Sequence, residues 1–431
     1  MKSLFKKIVV YKLTWAARLA LWRHKPKVIA ITGNVGKTST KDAVYALVSQ
    51  AFNTRKSEKS FNSELGLPLA ILGLDNAWSS FGGWVENIAI GFWRALFAKN
   101  FPEYLVLEVG ADHPGDIEKV TKWLHPDIVV LTRMSDTPVH VEYFNSAADV
   151  LREKMFLAHA LKMGGTLIVN SDDPHFVNAV RDINAKKAFY GTTRGSTVEI
   201  EEMTVSYIGS TLPLPKGQRA TLSVGGTKKH IEIYGILGGH LVYPVAAACA
   251  VGVVLGIIEY IDKAFTNFHT PKGRMRILKG ISSIGIIDDT YNASPLATME
   301  ALKALAGVSI RGRKIAVLAD MKELGDKAQQ AHMEVGLFAG EVLHMLATVG
   351  DMAQYIGEGA KRAGLPMDRI MHFNSSEEAG KAMVDIVRAG DVVLVKGSQS
   401  MRMERVVKQL LEDKFKAGDL LVRQEDEWQK R

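Results

Sequence analysis

The stretch Lys27-Val28-Ile29-Ala30-Ile31-Thr32-Gly33-Asn34-Val35-Gly36-Lys37-Thr38-Ser39-Thr40 restricts the fold more than any other part of the sequence. A short run rich in β-branched residues meets two glycines and a Lys-Thr pair, and Ala43, Val44, Ala46 and Leu47 follow at helical spacing. The pattern predicts strand, tight loop, helix. Such a loop turns backbone N–H groups inward on an anion and the new helix aims its positive end at it, while Lys37 adds charge and Thr38 offers a hydroxyl to Mg²⁺. The general phosphate-loop pattern has glycine where Ile31 stands, so the fit is to the shorter Gly-x-x-Gly-Lys-Thr. The candidate nucleotide-binding residues are Thr32, Gly33, Asn34, Val35, Gly36, Lys37, Thr38 and Ser39; the alternative is a glycine turn that only caps a helix.

A chain of 431 residues has room for two or three domains. Its net charge of +8 suits a phosphorylated ligand, a membrane surface or nucleic acid, but no base-stacking aromatic array accompanies the basic residues. The excess is concentrated at the start: no acidic residue precedes Asp42, whereas basic residues recur from Lys2 to Lys41. Lys12 and Arg18 interrupt every candidate signal-peptide core there. Residues 1–26 therefore read as a basic amphipathic helix, with Leu4, Phe5, Ile8, Tyr11, Trp15, Leu19 and Trp22 either lying on an anionic bilayer or packed on the first domain. Cys249, the single cysteine, reads as a buried thiol in a reducing cytoplasm. Eighteen uncharged residues from Leu241 to Ile258 read as a buried helix rather than a span, because Pro244, alanines and glycines lower their apolar content.

Beyond the loop, an aromatic helical stripe runs through Trp84, Ile88, Phe92 and Leu96, which reads as core or as an apolar patch shared with the N-terminal helix, the two buried on each other or laid on a membrane. Buried strands follow near Tyr104–Val109, Asp127–Thr132 and Gly165–Asn170, and an alternating antiparallel cluster covers 198–234. In open parallel sheets a ligand sits beyond the carboxyl ends of the strands, which brings Glu108 and His140 toward whatever the loop holds, a pairing suited to a metal bridging phosphates. Lys154, at the start of a helix, is by composition only a solvated lysine. After a linker at 270–274, strands and helices alternate again through 284–403. The fold class is α/β: a central P-loop-type parallel sheet domain over 27–269, then a Rossmann-like α/β domain over 270–431.

Taken together these stretches resemble the Mur ligase family, ATP-dependent amide-forming enzymes of cell-wall precursor synthesis, over about residues 27 to 420. Thr32-Gly33-Asn34-Val35-Gly36-Lys37-Thr38 is similar to the family's P-loop, Glu108-Val109-Gly110-Ala111 to its acidic strand end, and His140-Val141-Glu142-Tyr143-Phe144 to its His-x-x-x-Phe metal segment. Lys154 falls where the family carries a carbamylated lysine, and Gly273-Arg274-Met275 matches the arginine opening the third domain. Asp288-Asp289-Thr290-Tyr291-Asn292-Ala293-Ser294-Pro295, Asp320-Met321-Lys322-Glu323-Leu324-Gly325 and Val395-Lys396-Gly397-Ser398 resemble the branch that adds D-Ala-D-Ala to a UDP-muramoyl tripeptide.

The resemblance implies ATP and two Mg²⁺ ions. Thr38, Glu108, His140 and Lys154 would be metal ligands, Lys37, His140 and Lys154 would carry the catalysis, and Arg274 and Asp289 would meet the nucleotide from the third domain. Family members carry a UDP-binding domain ahead of the P-loop, where this sequence has the basic helix; a separate partner or a lipid-linked donor at the inner membrane face fits that. Leu241 and Pro244 stand where the family's adenine segment has asparagines. A related ligase with another donor or amino acid, and a non-catalytic nucleotide-dependent scaffold, are the competing expectations.

Overall fold

The computed structural model describes residues 3–58, 64–78, 80–111, 113–134, 144, 146–266, 268, 270–425 and 428. The first unit is a nine-stranded sheet in the order β2-β3-β1-β4-β5-β6-β7-β8-β9. Its strands are β1 (Lys27–Thr32), β2 (Thr54–Lys56), β3 (Tyr104–Glu108), β4 (Ile128–Leu131), β5 (Thr166–Asn170), β6 (Lys186–Gly191), β7 (Val198–Ile208), β8 (Leu214–Val224) and β9 (Thr227–Tyr234). Strands β1 to β7 pair in parallel, and β7, β8 and β9 continue the sheet as an antiparallel ribbon.

Strands β1, β3, β4 and β5 are buried on both faces along nearly their whole length, so they read as continuous apolar runs rather than alternations. Along β1 the pleat still sorts them. Ile29 and Ile31 face the core shared with α2 (Lys37–Val48) and α8 (Val242–Leu255). Val28 and Ala30 face a second core with α1 (Ser3–His24), α3 (Gly66–Leu72), α4 (Phe81–Phe97), α5 (Asp116–Thr121), α6 (Ala147–His159) and α7 (Pro174–Ala179). The uncharged 241–258 segment contains α8, buried from Pro244 through Gly252 and closed by Gly256 at φ 69°. No helix among the described residues is long and apolar enough to cross a membrane.

After α9 (Ile261–Phe265) the chain enters a six-stranded sheet in the order β10-β11-β15-β12-β13-β14. These are β10 (Arg276–Lys279), β11 (Gly285–Asp289), β12 (Lys314–Ala319), β13 (Met345–Val349), β14 (Ile370–Phe373) and β15 (Val392–Lys396), parallel except for edge strand β10. The helices are α10 (Pro295–Ala306), α11 (Ala328–Val342), α12 (Gln354–Arg362), α13 (Ser376–Ile386), α14 (Glu404–Leu410) and the single turn α15 (Ala417–Leu420). Their starts follow local chemistry: Ser294 and Ser375 each accept an N–H from the first turn, and Pro295 occupies a position whose N–H has no helical partner. The sheets meet where Leu237 N donates to Met275 O (3.0 Å) and Ile277 N to Gly235 O (2.8 Å).

Candidate active site

Strand β1 is central, so the loop after it emerges between the carboxyl ends of β3 and β4. Asn34 N and Val35 N donate to Arg133 O (2.7 and 3.2 Å), and the Thr132 hydroxyl donates to Val35 O (2.8 Å). Gly33, at φ 146°, passes so close that a Cβ there would meet the Thr132 oxygen at 2.0 Å. Gly36, at φ 85°, begins α2 without a side chain to cap it, leaving the first-turn amides of Lys37, Thr38 and Ser39 to an outside acceptor. The Lys37 ammonium donates to Gly33 O (2.9 Å) and Asn34 O (3.1 Å), folded back over its own loop.

Glu108 ends β3 opposite Ile31 in the register and is 3% exposed. Its Oε2 is buried with no hydrogen-bond partner, as is the Thr32 hydroxyl. Burying a carboxylate oxygen unpaired is costly, so an orphan beside an anion-binding loop fits a cation. Among the described residues no three His, Cys, Asp or Glu cluster together. That donor set suits Mg²⁺, which takes one or two carboxylates and the rest of its ligands from phosphates and water.

Lys154 departs from the solvated reading: α6 crosses near β1 and leaves this side chain 4% exposed. Burial first, and the positive charge of Lys37 second, push its pKa down to about 7, with Glu153 pulling the other way. Glu153, which the sequence reading passed over, accepts from Gly115 N (2.8 Å), Ile117 N (2.6 Å) and Glu118 N (3.4 Å), a carboxylate capping the start of α5. Lys37, Glu108 and Lys154 thus stand around one loop. His140 lies outside the described residues.

The three C-terminal motifs converge beyond the carboxyl ends of the adjacent strands β11, β15 and β12. Asp289 accepts from Met275 N (3.1 Å) and from Lys396 Nζ (2.5 Å), and Lys396 also donates to Asn292 O (2.9 Å). The Asp320 carboxylate accepts from Lys322 Nζ (2.7 Å) and Ala353 N (2.8 Å), and Lys322 N donates to the Ser398 hydroxyl (2.9 Å). Burial holds the His332 pKa low, consistent with its Nε2 accepting from Met321 N (2.9 Å). Arg274 lies over the Tyr291 ring (4.2 Å) with its Nε buried and unpartnered. Asp289 bonds to Met275 and Lys396, not to the loop at 33–38.

Fold and site define a two-unit α/β protein of the P-loop type, with a second switch-point crevice on its C-terminal sheet. Residues 85–252 match the Mur ligase middle domain, and residues 273–399 match the Mur ligase, glutamate ligase domain. The chain belongs to the Mur ligase family. It is 29% identical over 388 residues to the UDP-N-acetylmuramoyl-tripeptide–D-alanyl-D-alanine ligase of Bacillus subtilis, covering 90% of this chain and 76% of that one. The Escherichia coli enzyme of the same name is 25% identical over 416 residues, 92% and 80% of the two chains. The crystal structure of MurF ligase from Thermotoga maritima in complex with ADP superposes at a TM-score of 0.73 and 25% identity, covering 93% of this chain and 83% of that one.

Proposed function

We propose that the chain is an ATP-dependent ligase that joins D-Ala-D-Ala to the terminal carboxylate of a UDP-muramoyl tripeptide through an acyl phosphate, in the cytoplasm where such precursors are soluble. The observation that carries this reading is the gathering of Lys37, Glu108 and a buried Lys154 around the loop that ends β1. It is supported by relatives of that name and by a MurF neighbour solved with ADP.

A carboxylate resists amines because its leaving group would be oxide. Phosphorylation supplies phosphate instead: the carboxylate oxygen bonds to the γ-phosphorus as ADP leaves, the amine then bonds to the acyl carbon and gives up a proton, and phosphate departs with the original oxygen. Lys37 leaves the loop carbonyls for the phosphate oxygens, and the first-turn amides of α2 hold them in place. Thr38 and Glu108 would hold one Mg²⁺, and His140 with carbamylated Lys154 a second. Ions held there would neutralise charge on the transferring group and orient the acceptor carboxylate.

Lys154 is suited to that modification because burial, and after it the charge of Lys37, bring its pKa down to about 7 and so favour the neutral amine. Its nitrogen adds to CO₂ and loses a proton, which replaces a cation beside Lys37 by an anion. Asp289 holds the Met275 amide, where the backbone sits at φ 51°, and so positions Arg274 to meet the nucleotide when the two units close. Thr32, Gly33, Asn34, Val35, Gly36 and Ser39 shape the cradle.

The test is to incubate the pure chain with ATP, Mg²⁺, D-Ala-D-Ala and UDP-muramoyl tripeptide and weigh the product. Condensation adds the dipeptide less one water; ATP consumed with no such product overturns the reading. A panel of other amines and donors separates a relative of different specificity from this one.

A further inference from the structure

Helix α1 is apolar on two sides. Val9, Leu13, Ala16, Ala17 and Ala20 are fully buried in the core shared with α3 and α4. On the opposite side Ile8, Tyr11, Trp15 and Trp22 are 47%, 59%, 47% and 72% exposed. At helical spacing these four fall within about 60° of one another. A surface helix ordinarily covers that side with charge. Here it carries rings.

The neighbouring helix continues the pattern. Phe81, Val85, Trp93 and Phe97 recur at steps of four or eight along α4 and are exposed. The helices run side by side in the same direction: Phe5 stacks on Phe81 at 4.6 Å near one end, and Arg23 Nε donates to Leu96 O (3.3 Å) near the other. Around the rings of α1 stand Lys6, Lys7, Lys12, Arg18 and Arg23 with no acidic residue on that helix, and Glu86 is the one acid on α4. Where α1 ends, Arg18, Trp22 and Lys25 also wall a shallow groove of about 550 Å³ that Lys27, Lys122 and Lys162 share. Its acid, Asp127, is taken up by Lys27 (3.1 Å) and Lys162 (2.7 Å).

We infer that the α1–α4 face is a docking surface for an anionic lipid bilayer, with the rings at interfacial depth and the cations at the headgroups. Charge complementarity selects that occupant over a second copy of this chain, since an isologous contact would set the five cations of α1 against themselves. The groove lies at the amino end of β1, and the loop at 33–38 lies at its carboxyl end, so docking leaves the nucleotide mouth open. This inference is independent of which acid and amine the site joins.

The experiment is co-sedimentation of the full chain with phosphatidylcholine vesicles, with and without phosphatidylglycerol, at low and high salt. Binding to the anionic vesicles that salt weakens is expected. Lys12→Gln with Arg18→Gln should weaken it about 30-fold. Trp22→Ser with Trp93→Ser should abolish it while the far-UV circular dichroism stays unchanged. Equal binding to both vesicles, binding to neither, or a dimer in sedimentation velocity that the Trp22→Ser, Trp93→Ser variant dissolves would each overturn the inference.

Discussion

Lys154 is buried beside Lys37, and the cost of burial first and of the neighbouring charge second is visible in its depressed pKa. Because its folded pKa lies below the unfolded value, protonating it opposes folding. The penalty is absent above about pH 10.5, grows as pH falls through that value, and levels off below about 7. Lys154→Met should therefore be more stable than the parent at pH 6, by up to ~4 kcal/mol, with the difference shrinking toward pH 10, while ligation is lost. Thermal melts across pH measure this; equal melts at every pH would mean the side chain is solvated. Lys37→Ala should keep the fold and lower ligation by about 10³-fold or more, read by product mass, because no other side chain supplies charge inside the loop.

At the scale of elements, the loop's two glycines differ in what they tolerate. Gly33→Ala drives a Cβ into the Thr132 oxygen and should abolish nucleotide binding by calorimetry, whereas Gly36→Ala meets nothing nearer than 4.0 Å and should cost only about 1 kcal/mol of backbone strain. Glu153→Gln should destabilise the start of α5 and lower the Lys154 pKa further, since Glu153 is the group that raises it. Labelling of Lys154 by an acylating reagent as a function of pH reads that shift. The strand–loop–helix at 27–48 was legible because a parallel strand buried on both faces must be an unbroken apolar run. β2, β6 and β10 were not: Thr54–Lys56 is three polar residues, Lys186–Gly191 opens on two lysines, and Arg276–Lys279 is an edge strand charged at both ends. Burial of Lys154 and the cap from Glu153 depend on where α6 lies across β1, which no local pattern encodes.

At the scale of the molecule, order along the chain carried more than any single motif. Residues 288–295, 320–325 and 395–398 are distant in sequence and meet only because β15 inserts between β11 and β12. The core on the α2 and α8 side runs on without interruption into the C-terminal sheet, through Ile236 and Met275 to Ile287 and Leu318. The units are therefore joined by packing as well as by chain, and the closure proposed for the reaction would have to turn about the 270–274 segment. Small-angle scattering should show the radius of gyration falling when a non-hydrolysable ATP analogue and the muramoyl tripeptide are both present; an unchanged radius would leave Arg274 without a route to the nucleotide. The fate of the acceptor oxygen tests the chemistry most directly. With the tripeptide carboxylate labelled with oxygen-18, reaction through an acyl phosphate delivers one labelled oxygen to each inorganic phosphate released alongside product, and unlabelled phosphate, or label in AMP, would contradict it.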